Sequence, residues 1–388
     1  MNPSKRAGSF VKQPSGYHAF IPVELPPHPS IEITPDLQIL LSKANLALGR
    51  LDGSIQTLPN SDLFVYMYVR KEAVLSSQIE GTQSSLQDVL AAEAEIFSPD
   101  RPKDVGEVVN YVKAMNYGLD RLSDLPVSIR LIREIHEKLL KGVRGTNRTP
   151  GEIRTTQNWI GTPGSTLREA TFVPPPPYEV LRCLSDLESF IHGNSTLPML
   201  IKIGLAHAQF ETIHPFLDGN GRIGRLLITF LLCEQGILLK PVLYLSYHFK
   251  RFRTQYYDHL QAIRLEGKWE EWLNFFLEGV IEVSQQATET VQRILSLRED
   301  HRQTVTEKLD RIAGNGLKVL EYLYNHPIVT VNEIQKLIGT SYPAANNLVS
   351  RLVDLKILEE LTGQVRNRRF FYRHYYELFH DEELELDA

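Results

Sequence analysis

Apolar positions repeat with helical spacing along most of the 388 residues, and the predicted elements follow from where that spacing starts and stops. Residues 1–36 are rich in Pro and Ser, with Tyr17, Phe20, Ile21 and Val23 interleaved, and read as an extended arm laid on a domain surface. Helices are predicted to start near Pro35 and near Ser61-Asp62. The second runs through Leu63–Leu75 and ends in Ser76-Ser77-Gln78-Ile79-Glu80-Gly81, with Gly81 placed as a C′ stop. Ser76 and Glu80 share one helix face. A Glu in the last turn opposes the helix dipole, so Glu80 invites a cationic partner.

Asp104–Tyr117 and Ser128–Leu140 are amphipathic helices, the second with Ile129, Ile132, Ile135, His136 and Leu139 on one face. The period then fails from Gly142 to Pro177, a stretch of Gly, Pro, Thr and Asn too long for an ordinary connection. Within it, Glu152–Gly161 and Ala170–Pro174 read as the two strands of a small β-hairpin. Its free edge suits an extended peptide added as a further strand, or else it is a structural flap. Helices resume over Tyr178–His192, Leu200–Phe210 and a segment with Ile223, Leu226, Leu227, Phe230 and Leu231 on one buried face, stopped by Gly236. His248–Arg264 is predicted as one helix, followed by another with Trp269, Trp272 and Phe276 on one stripe that continues through the polar stretch Gln285–Lys308.

From about Gly316 the elements shorten. Leu317, Leu320, Leu323 and Tyr324 mark a first helix; Thr330 and Glu333 cap a second that stops at Gly339; a third follows Ser341 with Ala345, Leu348, Val349 and Leu352 inward. Ile357–Leu361 and Arg369–Tyr372 read as strands, and Asp381–Asp387 as an acidic tail. Three helices with a two-stranded wing resemble a winged helix–turn–helix. Such a module places its third helix in DNA, here with Asn346, Asn347 and Arg351 outward and the wing's Arg366, Arg368 and Arg369 near phosphates, or else serves a protein partner or a homodimer.

The densest chemistry lies between two of the helices, in His214-Pro215-Phe216-Leu217-Asp218-Gly219-Asn220-Gly221-Arg222-Ile223-Gly224-Arg225. Gly219-Asn220-Gly221 lets backbone N–H groups converge at a helix start, which makes an anion site suited to phosphates. Arg222 and Arg225 add fixed charge from the first turn. Asp218 is a hard oxygen ligand suited to magnesium, and His214 is the candidate base. Taken singly, each feature also fits a tight turn or a structural histidine; their concentration in twelve positions points to a site.

Composition narrows the surroundings. With 42% hydrophobic and 23% charged residues and a net charge of −5, the chain has the make-up of a globular protein with no general pull toward nucleic acid or membrane. Cys183 and Cys233 lack metal-site spacing and read as buried thiols. With no apolar run of bilayer length, and no apolar core in Met1–Gln13, the expected location is cytoplasmic.

The stretch 214–225 resembles the signature of Fic-domain proteins, H-x-F-x-(D/E)-G-N-G-R-x-x-R, at every defined position. The resemblance implies a mainly α fold: a Fic-type helical domain with a small β-hairpin flap, followed here by the winged helix–turn–helix. It implies a protein adenylyltransferase that moves AMP from ATP to a target hydroxyl, with auto-AMPylation. His214 would deprotonate the hydroxyl and Asp218 would hold Mg2+. Gly219, Asn220, Gly221, Ile223 and Gly224 would cradle ATP, with Arg222 supporting the loop and Arg225 on the γ-phosphate. Residues 76–81 resemble the family's inhibitory motif (S/T)-x-x-x-E-(G/N), in which Ser76 and Glu80 would pair with Arg225. The hairpin resembles the flap that positions a target, through Gln157, Asn158, Trp159 and Ile160, and Tyr256 would line the adenine pocket. The expected domains are 1–60 (arm and first helix), 61–100 (inhibitory helix region), 101–285 (catalytic core), 286–315 (helical linker) and 316–388 (winged helix). Other readings keep the fold but use another phosphate donor, remove AMP, or sense nucleotide to regulate DNA binding.

Overall fold

The computed structural model describes residues 5–58, 61–96, 101–162, 164–362 and 367–384. The arm is ordered by its own pairing. Strands β1 (Gly8–Lys12) and β2 (His18–Pro22) form an antiparallel hairpin with Gly8 opposite Pro22 and Lys12 opposite His18. This hairpin was not legible in the sequence, where the segment reads only as extended.

Helix α1 (Pro35–Gln56) starts where predicted. Thr34 accepts a hydrogen bond from the Leu37 N–H, and Pro35 occupies the first turn. Helix α2 (Ser61–Ile79) ends one residue before Glu80, and Gly81 takes the left-handed φ of +96° that a stop requires. Short α3 (Leu86–Glu93) opens with a capping box between Ser85 and Asp88. Helices α4 (Val105–Arg121), α5 (Ile129–Leu139) and α6 (Pro177–His192) surround the central pair α7 (Met199–Ile213) and α8 (Asn220–Glu234). Both central helices are buried almost all round, as expected of core helices.

The predicted hairpin over Glu152–Gly161 and Ala170–Pro174 is not formed as strands. One antiparallel bridge, Ile160 with Phe172, is the backbone pairing of these two segments among the described residues. The reason is competition for the backbone. Arg154 N–H donates to Pro215 O at 3.0 Å, and Pro174–Pro177 have no N–H to give. The second segment pairs instead with the arm: Phe20 N–H donates to Val173 O at 2.9 Å.

The predicted helix His248–Arg264 is two helices, α9 (Ser246–Arg251) and α10 (Arg253–Glu266), broken at Phe252. Helix α11 (Trp269–Lys308) then runs 40 residues without a break, straight through position 285. It packs along α1 and carries the C-terminal elements on its far half.

Those elements are α12 (Ala313–Leu323), β3 (Ile328–Thr330), α13 (Val331–Ile338), α14 (Tyr342–Asp354), β4 (Glu359–Glu360), β5 (Arg369–Phe371) and α15 (Arg373–Leu384). The strands form an antiparallel sheet in the order β3-β5-β4. Thr330 and Glu333 make the expected capping box, and Gly339 the expected left-handed stop. Residues 373–384, which reach into the expected acidic tail from 381, are helical. Phe379 of α15 packs its ring against Tyr68 of α2 at 5.2 Å. Two of the arginines expected near DNA are engaged within the fold: Arg368 pairs with Glu360 at 2.5 Å, and Arg351 donates to Lys308 O at 2.7 Å. Arg366 lies outside the described residues. No helix among the described residues is long and apolar enough to cross a membrane.

Candidate active site

Helix α7 ends because His214 adopts a left-handed conformation, φ 50° and ψ 60°. For a non-glycine residue this needs outside support. Arg154 and Asn158 supply it: Arg154 Nε donates to His214 O at 2.9 Å, and Asn158 Nδ2 donates to the same oxygen at 3.1 Å. Arg154 also donates to Ile213 O and Pro175 O. A guanidinium buried among the last carbonyls of a helix replaces the missing helical bonds and complements the dipole. Arg264 does the same from α10, donating to Glu211 O and to the Thr212 hydroxyl. Neither arginine stands out in the sequence, because their partners are backbone carbonyls and, for Arg264, uncharged side chains.

The loop from 215 to 219 is closed by a side-chain amide. Asn220 accepts from Phe216 N–H and donates to Phe216 O, both at 2.8 Å. His136 of α5 stacks flat on Phe216, with centroids 3.7 Å apart. Its Nδ1 accepts from Gly151 N–H, so its Nε2–H donates to Asp218 O at 3.0 Å. Burial pushes this imidazole down to about 4, which keeps it neutral, and the Gly151 N–H at Nδ1 fixes that tautomer.

Arg222 points inward and is 1% exposed. It pairs with Glu107 of α4 at 3.1 Å, and Arg144 joins the same carboxylate. The Ile223 side chain is buried, and its N–H donates to Gly219 O as the first bond of the helix. The backbone N–H groups of Asn220, Gly221 and Arg222 precede that bond and carry the positive end of α8.

Arg225 reaches the end of α2. Its Nε donates to the Ser76 hydroxyl at 2.8 Å, and its Nη2 donates to Ser76 O at 2.9 Å and to Glu80 Oε1 at 2.6 Å. Burial alone would raise the Glu80 carboxyl, but Arg225 beside it, with Arg222 and His214 adding, holds it below the usual carboxylate range. Glu80 also lies on the first turn of α8: a Cβ at Gly221 would be 2.3 Å from its Oε1. Behind this pair, Glu72 accepts from the Ser246 hydroxyl and N–H and from Tyr111, and burial pushes it up to about 7.

These groups border a cavity of about 550 Å³ whose walls include Trp159, Ile160, Glu211, His214, Arg225, Tyr256 and Tyr257. The His214 imidazole is half-buried, its Nδ1 has no partner among the described residues, and burial with Arg264 and Arg154 nearby pushes it down to about 3. It is therefore an uncharged base at neutral pH. Tyr256 is 1% exposed and its hydroxyl donates to His207, whereas Tyr257 is more open. Gln157 and Asn158 turn inward, with Gln157 donating to Pro174 O and Asn158 to the 214–216 backbone. Trp159 and Ile160 face the cavity.

Asp218 is 34% exposed; its Oδ1 accepts from Gly219 N–H at 2.6 Å and lies 3.6 Å from Arg222. The approach to Oδ2 is kept open by Gly145, where a Cβ would lie 2.8 Å from that oxygen. No cluster of three metal-ligating side chains occurs among the described residues. One hard oxygen beside an anion nest fits a cation that takes its remaining ligands from phosphate and water.

Comparison with known proteins agrees with this layout. Residues 39–120 match the Fic/DOC family N-terminal domain and residues 126–232 the Fic/DOC family domain. A probable protein adenylyltransferase of Aquifex aeolicus is 32% identical over 181 residues, covering 45% of this chain and 51% of the relative. A protein adenylyltransferase of Caenorhabditis briggsae is 27% identical over 221 residues, covering 55% and 39%. The chain thus spans about half, or less, of the length of these relatives. A Fic family protein from Desulfovibrio desulfuricans shares the fold, with a TM-score of 0.59 and 20% identity over 88% of this chain and 97% of that one. The similarity to the two Fic/DOC family domains runs from residue 39 to residue 232.

Proposed function

We propose that the chain is a protein adenylyltransferase that transfers AMP from ATP to a hydroxyl side chain, its own included, and that Glu80 restrains it. The observation that carries this reading is the meeting of a neutral His214, the open first turn of α8 and Arg225 around one cavity. The triphosphate lies along the N–H groups at 220–222, with its γ-phosphate at Arg225. The hydroxyl oxygen attacks the α-phosphorus as a ring nitrogen of His214 takes its proton. The bond from the α-phosphorus to the bridging oxygen breaks, and pyrophosphate leaves. Asp218 would hold Mg2+, whose charge would offset that of the phosphates. His136 and Asn220 hold the loop so that the nest is formed before substrate arrives.

Glu80 occupies the place of the γ-phosphate, which is why ATP is refused a productive pose. Trp159 and Ile160 flank the entry where a target segment lies. The C-terminal elements follow the order of a winged helix, and with Arg368 and Arg351 engaged internally a protein partner, a second copy included, suits them better than DNA. The expected setting is cytoplasmic.

The test is incubation with Mg2+ and ATP labelled on the α-phosphate, comparing wild type, Glu80→Gly, and Glu80→Gly with His214→Ala. Label that rises with the first variant and vanishes in the second supports transfer and restraint together. ATP binding without label in any variant would move the reading to another donor or to a nucleotide-sensing regulator.

A further inference from the structure

Glu211 stands on the last turn of α7, three residues before His214, and is 5% exposed. It lines the same cavity. Its Oε1 is buried with no hydrogen-bond partner among the described residues. Gly224 of α8 makes the room for it, since a Cβ there would lie 2.1 Å from that oxygen. A buried carboxyl oxygen left unbonded is costly, and more so when the group is ionised.

The charged and titratable groups around Glu211 come from every neighbouring element: Glu80 in the turn after α2, Arg225 of α8, Arg264, Tyr256 and Tyr257 of α10, and His214 at the end of its own helix. Arg225 is the cation nearest in kind to a partner, but it is held by Glu80 at 2.6 Å. Two carboxyls thus flank one guanidinium. Glu80 takes the ionised role. Burial pushes Glu211 up to about 7, with Arg225 opposing and Glu80 adding.

We propose that Glu211 binds the donor nucleotide as a neutral carboxylic acid, donating a hydrogen bond to the terminal phosphate that replaces Glu80 at Arg225. This rests on the cavity being the nucleotide site. The phosphate brings more negative charge than the Glu80 carboxylate it displaces, so the bound state favours the proton on Glu211 further. When Glu211 ionises, two anions compete for Arg225 and the triphosphate is expelled.

The test is calorimetric titration of the full chain carrying Glu80→Gly, with and without Glu211→Gln, using a non-hydrolysable ATP analogue and ADP between pH 6.5 and 8.5. Gln keeps the shape and a donor but cannot ionise. Triphosphate affinity of the single variant is expected to fall with rising pH by on the order of tenfold per unit above the titration, while the double variant stays nearly flat. The difference is expected to shrink with ADP, which lacks the γ-phosphate. Parallel profiles in the two variants, or an equal loss at every pH in the double variant, would overturn the proposal alone. No triphosphate binding to either variant would overturn it together with the nucleotide reading. The single variant gives an independent check by proton counting in buffers of different ionisation enthalpy: net proton uptake on binding at pH 8 is expected, and none would overturn the proposal.

Discussion

Glu80 Oε1 and Arg225 Nη2 lie 2.6 Å apart, and the same carboxylate covers the first turn of α8 at Gly221. One side chain therefore holds the cation and sits against the helix start where the proposed phosphate would bind. Replacing Glu80 by Gly frees both. Triphosphate affinity and AMP transfer are expected to rise by more than about tenfold, the ratio that corresponds to 1.4 kcal/mol. Binding calorimetry and label incorporation check this, and unchanged values in both would remove Glu80 from any restraining role.

His214 is expected to act as a base that needs no deprotonation step. Its pKa falls from the ordinary 6.5 to about 3 in the fold, so it is uncharged throughout the range in which an ordinary histidine titrates. The kcat/KM profile of Glu80→Gly should therefore show no acid limb near pH 6.5. His214→Ala in that background is expected to lose about 10²–10⁴-fold. An acid limb near 6.5 that disappears with His214→Ala would contradict the buried, neutral base.

Arg222 and Glu107 form a pair exposed by only 1% and 5%. Removing one partner leaves a charge in the core, which costs roughly 3–5 kcal/mol. Glu107→Ala should therefore lower the urea midpoint sharply, although residue 107 lies far from the cavity in sequence. A loss below about 1 kcal/mol would show that Asp218, 3.6 Å from Arg222, and water suffice to satisfy the guanidinium.

Glu72 gives stability a pH dependence of known sign. Its folded pKa, about 7, lies above the ordinary 4.5, so the folded state holds a proton that the unfolded state releases. The stability this contributes is full below about 4.5 and is lost as pH rises through 7. Glu72→Gln should flatten the fall in Tm between pH 5 and 8. Identical pH profiles for the two proteins would mean that Ser246 and Tyr111 already stabilise the ionised form.

Local chemistry was legible in the sequence where partners are near neighbours along the chain. The capping box of Thr330 and Glu333, the stops at Gly81 and Gly339, and the burial of α7 and α8 follow from spacing and residue type. So does the placing of Glu80 and Ser76 on one face. The hairpin over 152–174 is shorter than its sequence suggests, a single bridge of Ile160 with Phe172, because alternation does not reveal that Arg154, Asn158 and Val173 give their backbone and side-chain bonds elsewhere.

The sequence by itself determined the contents of the loop from His214 to Arg225, because the contacts that shape its turn, such as those of Asn220 with Phe216, join residues a few positions apart. The tertiary structure decided what surrounds it. Ser76 meets Arg225 across 149 residues, and Glu107 meets Arg222 across 115. His136, Arg154, Arg264 and Glu211 become part of the site only when α5, α7, α8 and α10 pack together. Their types carry no signature of that role: a guanidinium that binds carbonyls, or a carboxyl that keeps its proton, differs from any other Arg or Glu only in its burial, and burial is a property of the packed helices.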